Sequence, residues 1–356
     1  MPDCKPKQSE YGSRRFLAVY DLSSQPYSIG DIIFFLQGAL LKQAEFGTPQ
    51  IDICFISDPA RTPLDRHFAN LMKNNNGWHN LLYLLPLVQF TPNLGNVLLL
   101  GSFQEFNLLL SRADYLIWPS LDEILAKKYM SFDVLHSFQY HVQNTHHCPL
   151  LIVPNALITW VNEYLQRHAL PQVPVTVNLR NNPFIQQHRN SDIDAWLEFF
   201  DYCNNRYPVT FIVLCAYSEI DGRLRLRNNV VVAKDRNTSM EQDIALCRLS
   251  AFHVGAASGA GMWPVFTDKP YVLSNAVNIP PMLRDFGGTI VVESDTYARF
   301  SFSTKHQKII LVKDNADILI REFEAIWHSA SIGEWLQRVT SSRSNSTTAD
   351  SLKWLR

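Results

Sequence analysis

A chain of 356 residues is long enough for two domains, each with its own hydrophobic core. Hydrophobic residues make up 46% of the chain and charged residues 18%, which excludes an intrinsically disordered protein. The formal net charge of −1 provides no basic field, so we predict no nucleic-acid partner.

The sequence predicts neither a targeting segment nor a membrane-spanning segment. The N-terminal residues MPDCKPKQSEYGSRR have no apolar stretch behind their basic residues, which argues against a signal peptide. The most apolar span, Leu81–Gly101, is interrupted by Pro86 and Pro92 and lacks the roughly 20 unbroken apolar residues of a membrane helix. The six cysteines are scattered, which predicts buried free thiols. We therefore predict a cytoplasmic protein without a transmembrane segment, with membrane contact only through other subunits or domains.

Strand-like and helix-like runs alternate in the first half of the chain. The β-rich runs are Phe16–Tyr20, Ile51–Ile56, Leu81–Leu85, Val97–Leu100, Tyr115–Trp118 and Leu150–Val153. The runs with helical spacing are Ile29–Gln43, Pro63–Lys73, Phe103–Arg112 and Ser131–Val142. This alternation predicts a parallel sheet that is covered by helices.

The same alternation restarts after the proline-bracketed segment Leu170–Pro174. The predicted strands are Val175–Leu179, Val209–Cys215, Val230–Ala233, Phe252–Gly255 and Tyr271–Ser274, and the predicted helices are Asp192–Arg206, Met240–Leu249 and Ala316–Val339. We predict an α/β protein with two Rossmann-like domains, 1–170 and 171–340, that face a cleft, followed by a polar tail at 341–356. Ligands of such domains bind at the carboxyl ends of the strands.

A turn of small residues, Ala257–Gly261, follows the predicted strand Phe252–Gly255, and a helix is predicted to begin in it. Such a turn lets a ligand approach the backbone, and the free amides at a helix N-terminus favour a phosphate. We predict that the backbone at Ser258, Gly259 and Ala260 holds a phosphate. The alternative is a tight connection selected for packing. The spacing matches neither a dinucleotide fingerprint nor a P-loop.

Two arginines lie where they could contact a diphosphate. Arg180 directly follows a predicted strand, and its guanidinium could bind a diphosphate through two donors or pair with a surface carboxylate. Arg189 precedes a predicted helix, where the helix dipole disfavours a cation unless an anion is bound. Tyr217 and Lys234 follow two other strands and could contact a base or ribose, or belong to ordinary polar loops.

Carboxylates at the ends of elements are candidates for acid–base chemistry. Asp31, in the first strand-to-helix connection, could accept a proton from a sugar hydroxyl or could simply complement the helix dipole. Asp21, at the end of the first strand, is the reserve candidate. Asp192 and Asp194 form a D-x-D pattern, but we favour helix capping there, with Ser191 as the N-cap, over a metal site.

Three segments resemble GT-B glycosyltransferases near the heptosyltransferase and fucosyltransferase-like branches. Ser28–Asp31 is similar to the glycine–aspartate loop of heptosyltransferases, and Val175–Arg180 resembles the strand and arginine of fucosyltransferases. Glu241–Asn275 resembles the donor-site segment. The chain departs from these patterns at Asn181–Pro183, where fucosyltransferases have a second basic residue, and at Ala257, where heptosyltransferases have aspartate.

The resemblance implies an N-terminal acceptor domain and a C-terminal nucleotide-sugar donor domain. It implies an inverting, metal-independent glycosyltransferase that needs no cofactor. Our first choice for the transferred sugar is a 6-deoxyhexose such as rhamnose or fucose. The acceptor would be an oligosaccharide or lipid-linked glycan in surface polysaccharide or lipopolysaccharide biosynthesis. Asp31 would be the general base, and Arg180 and Arg189 would contact the donor. Two alternatives remain, a nucleotide-sugar epimerase and a non-catalytic carbohydrate-binding subunit.

Overall fold

The structure is a computed structural model that describes residues 14–63, 78–145, 148–183 and 186–329. Contacts within the chain divide it between Ile152 and Val153 into two units, each with its own sheet. Helix Asn155–His168 precedes the proline-bracketed segment in sequence but packs against Met240–Leu249 of the second unit. The predicted α/β class with two sheet domains is confirmed.

The first unit contains a four-stranded sheet in which every pairing is parallel, as predicted. Its strands, in the order β3-β2-β1-β4, are β1 (Arg15–Asp21), β2 (Ile51–Ile56), β3 (Leu94–Leu100) and β4 (Tyr115–Trp118). Strands β1 and β2 are buried on both faces from Phe16 onward, because helices cover the central strands of a parallel sheet. Asp21 is the last residue of β1 and pairs with Ile56 at the carboxyl end of β2.

The first unit differs from the sequence prediction at two of the predicted strands. Its helices are α1 (Ile29–Phe46), α2 (Trp78–Leu84), α3 (Phe103–Arg112), α4 (Leu121–Leu125) and α5 (Ser131–Asn144). The strand predicted at Leu81–Leu85 is wrong, because burial of Leu81, Leu84 and Val88 follows a helical period. The strand predicted at Leu150–Val153 is also wrong, since this extended segment forms no strand ladder. Most of the helix predicted at Pro63–Lys73 lies outside the described residues.

The second unit contains an eight-stranded sheet in the order β10-β11-β12-β9-β8-β5-β6-β7. Its strands are β5 (Val173–Asn178), β6 (Val209–Leu214), β7 (Val230–Val232), β8 (Phe252–Ala256), β9 (Tyr271–Ser274), β10 (Ile290–Val292), β11 (Tyr297–Phe300) and β12 (Gln307–Ile310). The five predicted strands are present. Sequence reasoning missed β10 to β12, which are only three or four residues long and include two antiparallel pairings.

Helices cover both faces of this second sheet. They are α6 (Asn155–His168), α7 (Ile193–Asn204), α8 (Met240–Leu249), α9 (Ile279–Met282) and α10 (Ala316–Trp327), with a 3₁₀ helix at Gly259–Phe266. The α10 segment was predicted to run to Val339, but residues from 330 onward lie outside the described part. No helix among the described residues is both long and apolar enough to cross a bilayer. The thiols of Cys54, Cys203, Cys215 and Cys247 are buried and unbridged, as predicted, whereas Cys148 is unbridged but only half-buried.

The two faces of β5 differ in chemistry. Val175 and Val177 point into an apolar core under α7 and α10. That core contains the aromatic residues Trp196, Phe199, Phe200, Phe211, Phe252 and Phe323. The alternate residues Thr176 and Asn178 are also buried, on the opposite face. A buried polar residue needs a hydrogen-bond partner, so the Thr176 and Asn178 side chains mark the face where the candidate site is built.

Candidate functional site

The small-residue turn lies directly after β8, at the carboxyl end of the central strands. It leads into the 3₁₀ helix Gly259–Phe266 rather than the start of an α-helix. Gly259 has a φ of 52°, a left-handed conformation that favours glycine. A Cβ at Gly261 would lie 2.9 Å from the Ala256 carbonyl oxygen, so the backbone there admits no side chain without a shift. The predicted phosphate contact of the Ser258 amide is not supported, because this amide donates to the Ala256 carbonyl at 2.7 Å, and the Gly261 amide donates to the Ser258 carbonyl at 3.1 Å. Among the described residues, the amides of Gly259 and Ala260 are the ones in this turn that remain for a ligand.

Asn178 fixes the shape of this turn. It is the last residue of β5 and pairs with Gly255 of β8. Its Nδ2 donates to the carbonyl oxygens of Ala256 at 3.2 Å and Ser258 at 2.8 Å, and to the Ser258 hydroxyl at 3.2 Å. The Ser258 hydroxyl therefore has an internal partner, and the turn is held by a neutral amide. Sequence reasoning missed Asn178, although a polar residue that alternates with valines at a strand end was a usable signal.

The loop after β5 brings Arg189 to the turn. Arg189 Nη2 donates to the Ala257 carbonyl oxygen at 2.8 Å. The conformation of the loop is held by Asn190, whose Nδ2 donates to the Asn182 carbonyl at 2.8 Å and whose own carbonyl accepts from Asn275 Nδ2 at 2.6 Å. The structure therefore places Arg189 in contact with the turn, which sequence reasoning did not predict. The predicted contact of Arg189 with a diphosphate stays a prediction.

Arg180 lies one residue beyond Leu179 at the same end of the sheet. Its backbone amide donates to the Ser191 hydroxyl at 3.1 Å, and its carbonyl accepts from the Ser191 amide at 2.7 Å. Ser191 therefore bonds to the backbone of Arg180. The prediction that Ser191 is the N-cap of α7 is wrong. Asp192 is the N-cap instead, and its Oδ1 accepts from the amides of Asp194 and Ala195. Because this carboxylate caps α7, the helix-capping interpretation of the D-x-D pattern is supported.

Tyr217 and Lys234 lie close together at the ends of β6 and β7. The Tyr217 side chain is 61% exposed, and Lys234 Nζ lies 5.8 Å from its ring centroid. Lys234 Nζ also lies 2.7 Å from Asp243 Oδ2 and donates to the Thr238 carbonyl at 2.6 Å. The lysine charge is therefore balanced within the protein, which leaves the exposed Tyr217 ring as the stronger contact for a planar ligand.

A buried imidazole lies beneath the turn. His253 Nδ1 is 3.1 Å from Thr176 Oγ1 and 3.4 Å from Cys247 Sγ, and among the described residues its Nε2 has no hydrogen-bond partner. A Cβ at Gly261 would lie 3.0 Å from that Nε2. Burial, assisted by the nearby Lys269 ammonium, lowers the pKa of His253 to about 3, so the ring is neutral at physiological pH.

In the first unit, Asp31 lies in the first turn of α1, as predicted. Ser28 is the N-cap of this helix, and its hydroxyl both accepts from the Asp31 amide at 3.1 Å and donates to Asp31 Oδ2. Two further hydroxyls donate to Asp31 Oδ1, that of Tyr129 and that of Ser131 at 2.8 Å. Sequence reasoning missed Tyr129 and Ser131, because a separation of about 100 residues leaves no local pattern.

Asp21, the reserve candidate, is held in a different way. Its side chain is 2% exposed, and its Oδ2 lies 2.6 Å from Arg61 Nη2 while its Oδ1 accepts from the Ser23 amide at 2.8 Å. A buried and fully paired carboxylate is poorly placed to meet a substrate. The geometry of the first unit therefore favours Asp31 over Asp21 as the residue that accepts a proton.

Comparisons with known proteins give no match to a protein-family model or to a curated sequence. Solved structures do match the fold. A glycosyl transferase family 9 protein from Veillonella parvula is 9% identical and covers 89% of this chain and 98% of its own, with a TM-score of 0.53. The ADP-heptose LPS heptosyltransferase II of E. coli is 10% identical and covers 88% of this chain and 98% of its own, with a TM-score of 0.51. These likenesses confirm the predicted GT-B fold class.

Proposed function

We propose that this chain is a GT-B glycosyltransferase that moves a sugar from a nucleotide-sugar to a glycan acceptor in the biosynthesis of lipopolysaccharide or another surface polysaccharide. The observation that carries the proposal is the turn Ala257–Gly261, held by Asn178 and contacted by Arg189. Helix amides and a guanidinium together suit a diphosphate. The two proteins of similar fold, a family 9 glycosyl transferase and an LPS heptosyltransferase, support the same function.

The proposed reaction is an inverting, metal-independent transfer onto an oligosaccharide or lipid-linked glycan. The acceptor hydroxyl oxygen forms a bond to the anomeric carbon as the bond from that carbon to the phosphate oxygen breaks. The electron pair leaves with the nucleoside diphosphate, and the Asp31 carboxylate takes the proton of the acceptor hydroxyl. The turn amides, Arg189 and Arg180 stabilise the negative charge on the departing diphosphate.

The donor is tested first by binding. We propose a 6-deoxyhexose donor with a guanine or thymine nucleotide, and the LPS heptosyltransferase of similar fold makes ADP the main competitor. A ligand that binds only the folded protein raises its melting temperature. Thermal-shift measurements with GDP, dTDP, UDP, CMP and ADP should therefore give a shift for one base. The absence of any shift with all five would contradict a nucleotide-sugar donor.

Arg189→Ala tests the diphosphate site. Loss of a charge-assisted hydrogen bond costs about 1.5–3 kcal/mol, so we expect the Kd of the preferred nucleoside diphosphate to rise roughly 10- to 100-fold in calorimetry. Arg206→Ala is the control, because Arg206 contacts the Tyr202 ring on the surface of the same unit. Equal affinities in both variants would remove Arg189 from the donor site.

Asp31→Asn tests the chemical step. The amide keeps the size of the carboxylate but cannot take a proton, so we expect turnover to fall about 10²- to 10⁴-fold with the donor Kd unchanged. Near-normal turnover would reject the base assignment. NMR of the donor incubated without acceptor distinguishes the alternatives, since an epimerase would change the sugar and a glycan-binding subunit would leave the donor unbound.

A further inference from the structure

We infer that Tyr129 and Ser131 are positioning residues that orient the Asp31 carboxylate so that Oδ2, and not Oδ1, accepts the proton of the acceptor hydroxyl. This inference rests on the proposed function of Asp31 and assigns the two hydroxyls a role in that same site. It follows from how the hydrogen-bonding capacity of the carboxylate is distributed.

The two oxygens of Asp31 are used unequally. Oδ1 accepts from the hydroxyls of Tyr129 and Ser131, the latter at 2.8 Å. Within the described residues, Oδ2 accepts from the Ser28 hydroxyl alone. A carboxylate offers about four lone-pair positions, two on each oxygen. Both positions on Oδ1 are therefore filled, and one position on Oδ2 remains for an incoming hydroxyl.

The segment that carries Tyr129 and Ser131 is fixed to the loop that precedes α1. Gln25, which is buried in that loop, donates from Nε2 to the Lys128 carbonyl at 2.7 Å. Its Oε1 accepts from the Met130 amide at 3.3 Å. These two bonds hold the backbone on either side of Tyr129, at Lys128 and Met130. They thereby fix the positions from which the Tyr129 and Ser131 hydroxyls donate to Asp31. A catalytic group that is locked in this way is preorganised for reaction.

The charged and titratable groups around Asp31 do not compete for its proton. Burial raises the pKa of Tyr20 well above its usual value, and the Asp31 carboxylate adds to that rise. Burial raises the pKa of Tyr27 to about 12. Lys128 directs its ammonium to Glu123 and Asp133, each at 3.0 Å. Between pH 5 and 9 the phenols of Tyr20 and Tyr27 are neutral.

The test compares hydroxyl deletions by steady-state transfer kinetics. Ser131→Ala and Tyr129→Phe should each lower kcat about tenfold with the donor KM unchanged, because the carboxylate loses its fixed orientation. Ser131→Thr keeps a hydroxyl at this position, so it should restore most of the kcat that Ser131→Ala loses. The matched controls are Ser111→Ala and Tyr140→Phe, two exposed hydroxyls of the same unit.

The outcomes separate this inference from the function on which it rests. If the wild type and the controls transfer sugar, both deletions lower kcat with the donor KM unchanged, and Ser131→Thr restores kcat, the inference is supported. If the deletions transfer like the wild type while Asp31→Asn does not, the inference is overturned and the proposed function stands. If the donor KM rises together with the fall in kcat, or if Ser131→Thr is as slow as Ser131→Ala, the hydroxyls act through the structure of the unit and the inference is overturned. Failure of the wild type with every donor tested would overturn both.

Discussion

The two units secure the ends of their central strands by different means. At the end of β1, Asp21 and Arg61 form a buried ion pair with an Nη2–Oδ2 distance of 2.6 Å. At the end of β5, the neutral amide of Asn178 holds the turn through three hydrogen bonds. At the end of β1, the two charges neutralise each other, whereas at the end of β5 an uncharged amide fixes the backbone. Asp21 is therefore unsuited to acid–base chemistry, and the positive charge near the end of β5 comes from Arg180 and Arg189.

Substitution at the Asp21–Arg61 ion pair should lower the free energy of unfolding more than substitution at Asn178. Asp21→Asn keeps the side-chain volume but leaves the largely buried Arg61 without a counter-charge. Removal of one partner of a buried ion pair costs about 3–5 kcal/mol, so we expect a loss of that size in the free energy of unfolding. Urea denaturation followed by fluorescence provides the measurement.

Glu163→Gln is the matched control for this prediction. Glu163 forms an ion pair with Arg167 at 2.8 Å on the exposed surface of α6. Exposed pairs contribute about 0–1 kcal/mol, so this variant should unfold close to the wild type. An Asp21→Asn variant as stable as Glu163→Gln would mean that the end of β1 does not depend on its charges.

Local patterns predicted the parts of the fold that are locally determined. The apolar runs of β1, β2 and β5 and the limits of α8 follow from side-chain period and helix caps, which act within a few residues. The segment Leu81–Leu85 was misassigned because a short apolar run fits either a strand or a buried helix. The edge strands β10 to β12 were missed because pairing with distant residues, and not intrinsic preference, forms them.

The residues of the candidate site that lie near strand ends could be predicted from the sequence, whereas their hydrogen-bond partners could not. Asp31, Arg189 and the turn at Ser258 lie in or just beyond the connections that follow β1, β5 and β8, so the rule that ligands bind at the carboxyl ends of strands located them. Their partners could not be found in this way. Ser131 meets Asp31, and Asn178 meets Ser258, across separations that only the tertiary fold closes.

Substitution of Asn178 at the end of β5 should lower both the free energy of unfolding, by a modest amount, and the affinity for the nucleoside diphosphate. Asn178→Ala removes the two N–H donors that supplement the backbone amides of Ser258 and Gly261 on the Ala256 and Ser258 carbonyl oxygens. Each such bond contributes about 0.5–1.5 kcal/mol, so we expect a loss of about 1–3 kcal/mol in the free energy of unfolding. Because the turn loses its fixed shape, affinity for the nucleoside diphosphate should fall as well. Urea denaturation and calorimetry measure the two effects separately.

Asn229→Ala is the control that separates those effects. Asn229 is also buried, and its Nδ2 donates to the Phe200 carbonyl at 2.8 Å, away from the turn. We expect a similar loss of stability with unchanged nucleotide affinity. If both variants bind the nucleotide equally well, Asn178 is a structural residue and the turn is not shaped for a ligand.

The last expected effect is a change of stability with pH, and it concerns the neutral imidazole beneath the turn. Burial first, and the Lys269 ammonium second, lower the pKa of His253 to about 3, whereas an unfolded histidine titrates near 6.5. The unfolded state therefore binds the extra proton between these values, and the stability that this group contributes is lost as pH falls below about 6.5. His253→Gln removes that proton linkage, so its destabilising effect should shrink by about 2 kcal/mol between pH 7 and pH 5.

Cys247→Ala is the comparison for this prediction, because the Cys247 thiol lies 3.4 Å from His253 Nδ1 in the same buried cluster. Burial raises the pKa of Cys247 to about 12, so its thiol carries no charge between pH 5 and pH 7. Urea denaturation at both pH values should show a constant cost for Cys247→Ala and a falling cost for His253→Gln. A constant cost for both would mean that the imidazole can accept a proton in the folded protein. The second strand end would then carry a titrating charge beneath its turn, and the contrast with the charge-paired end of β1 would fail.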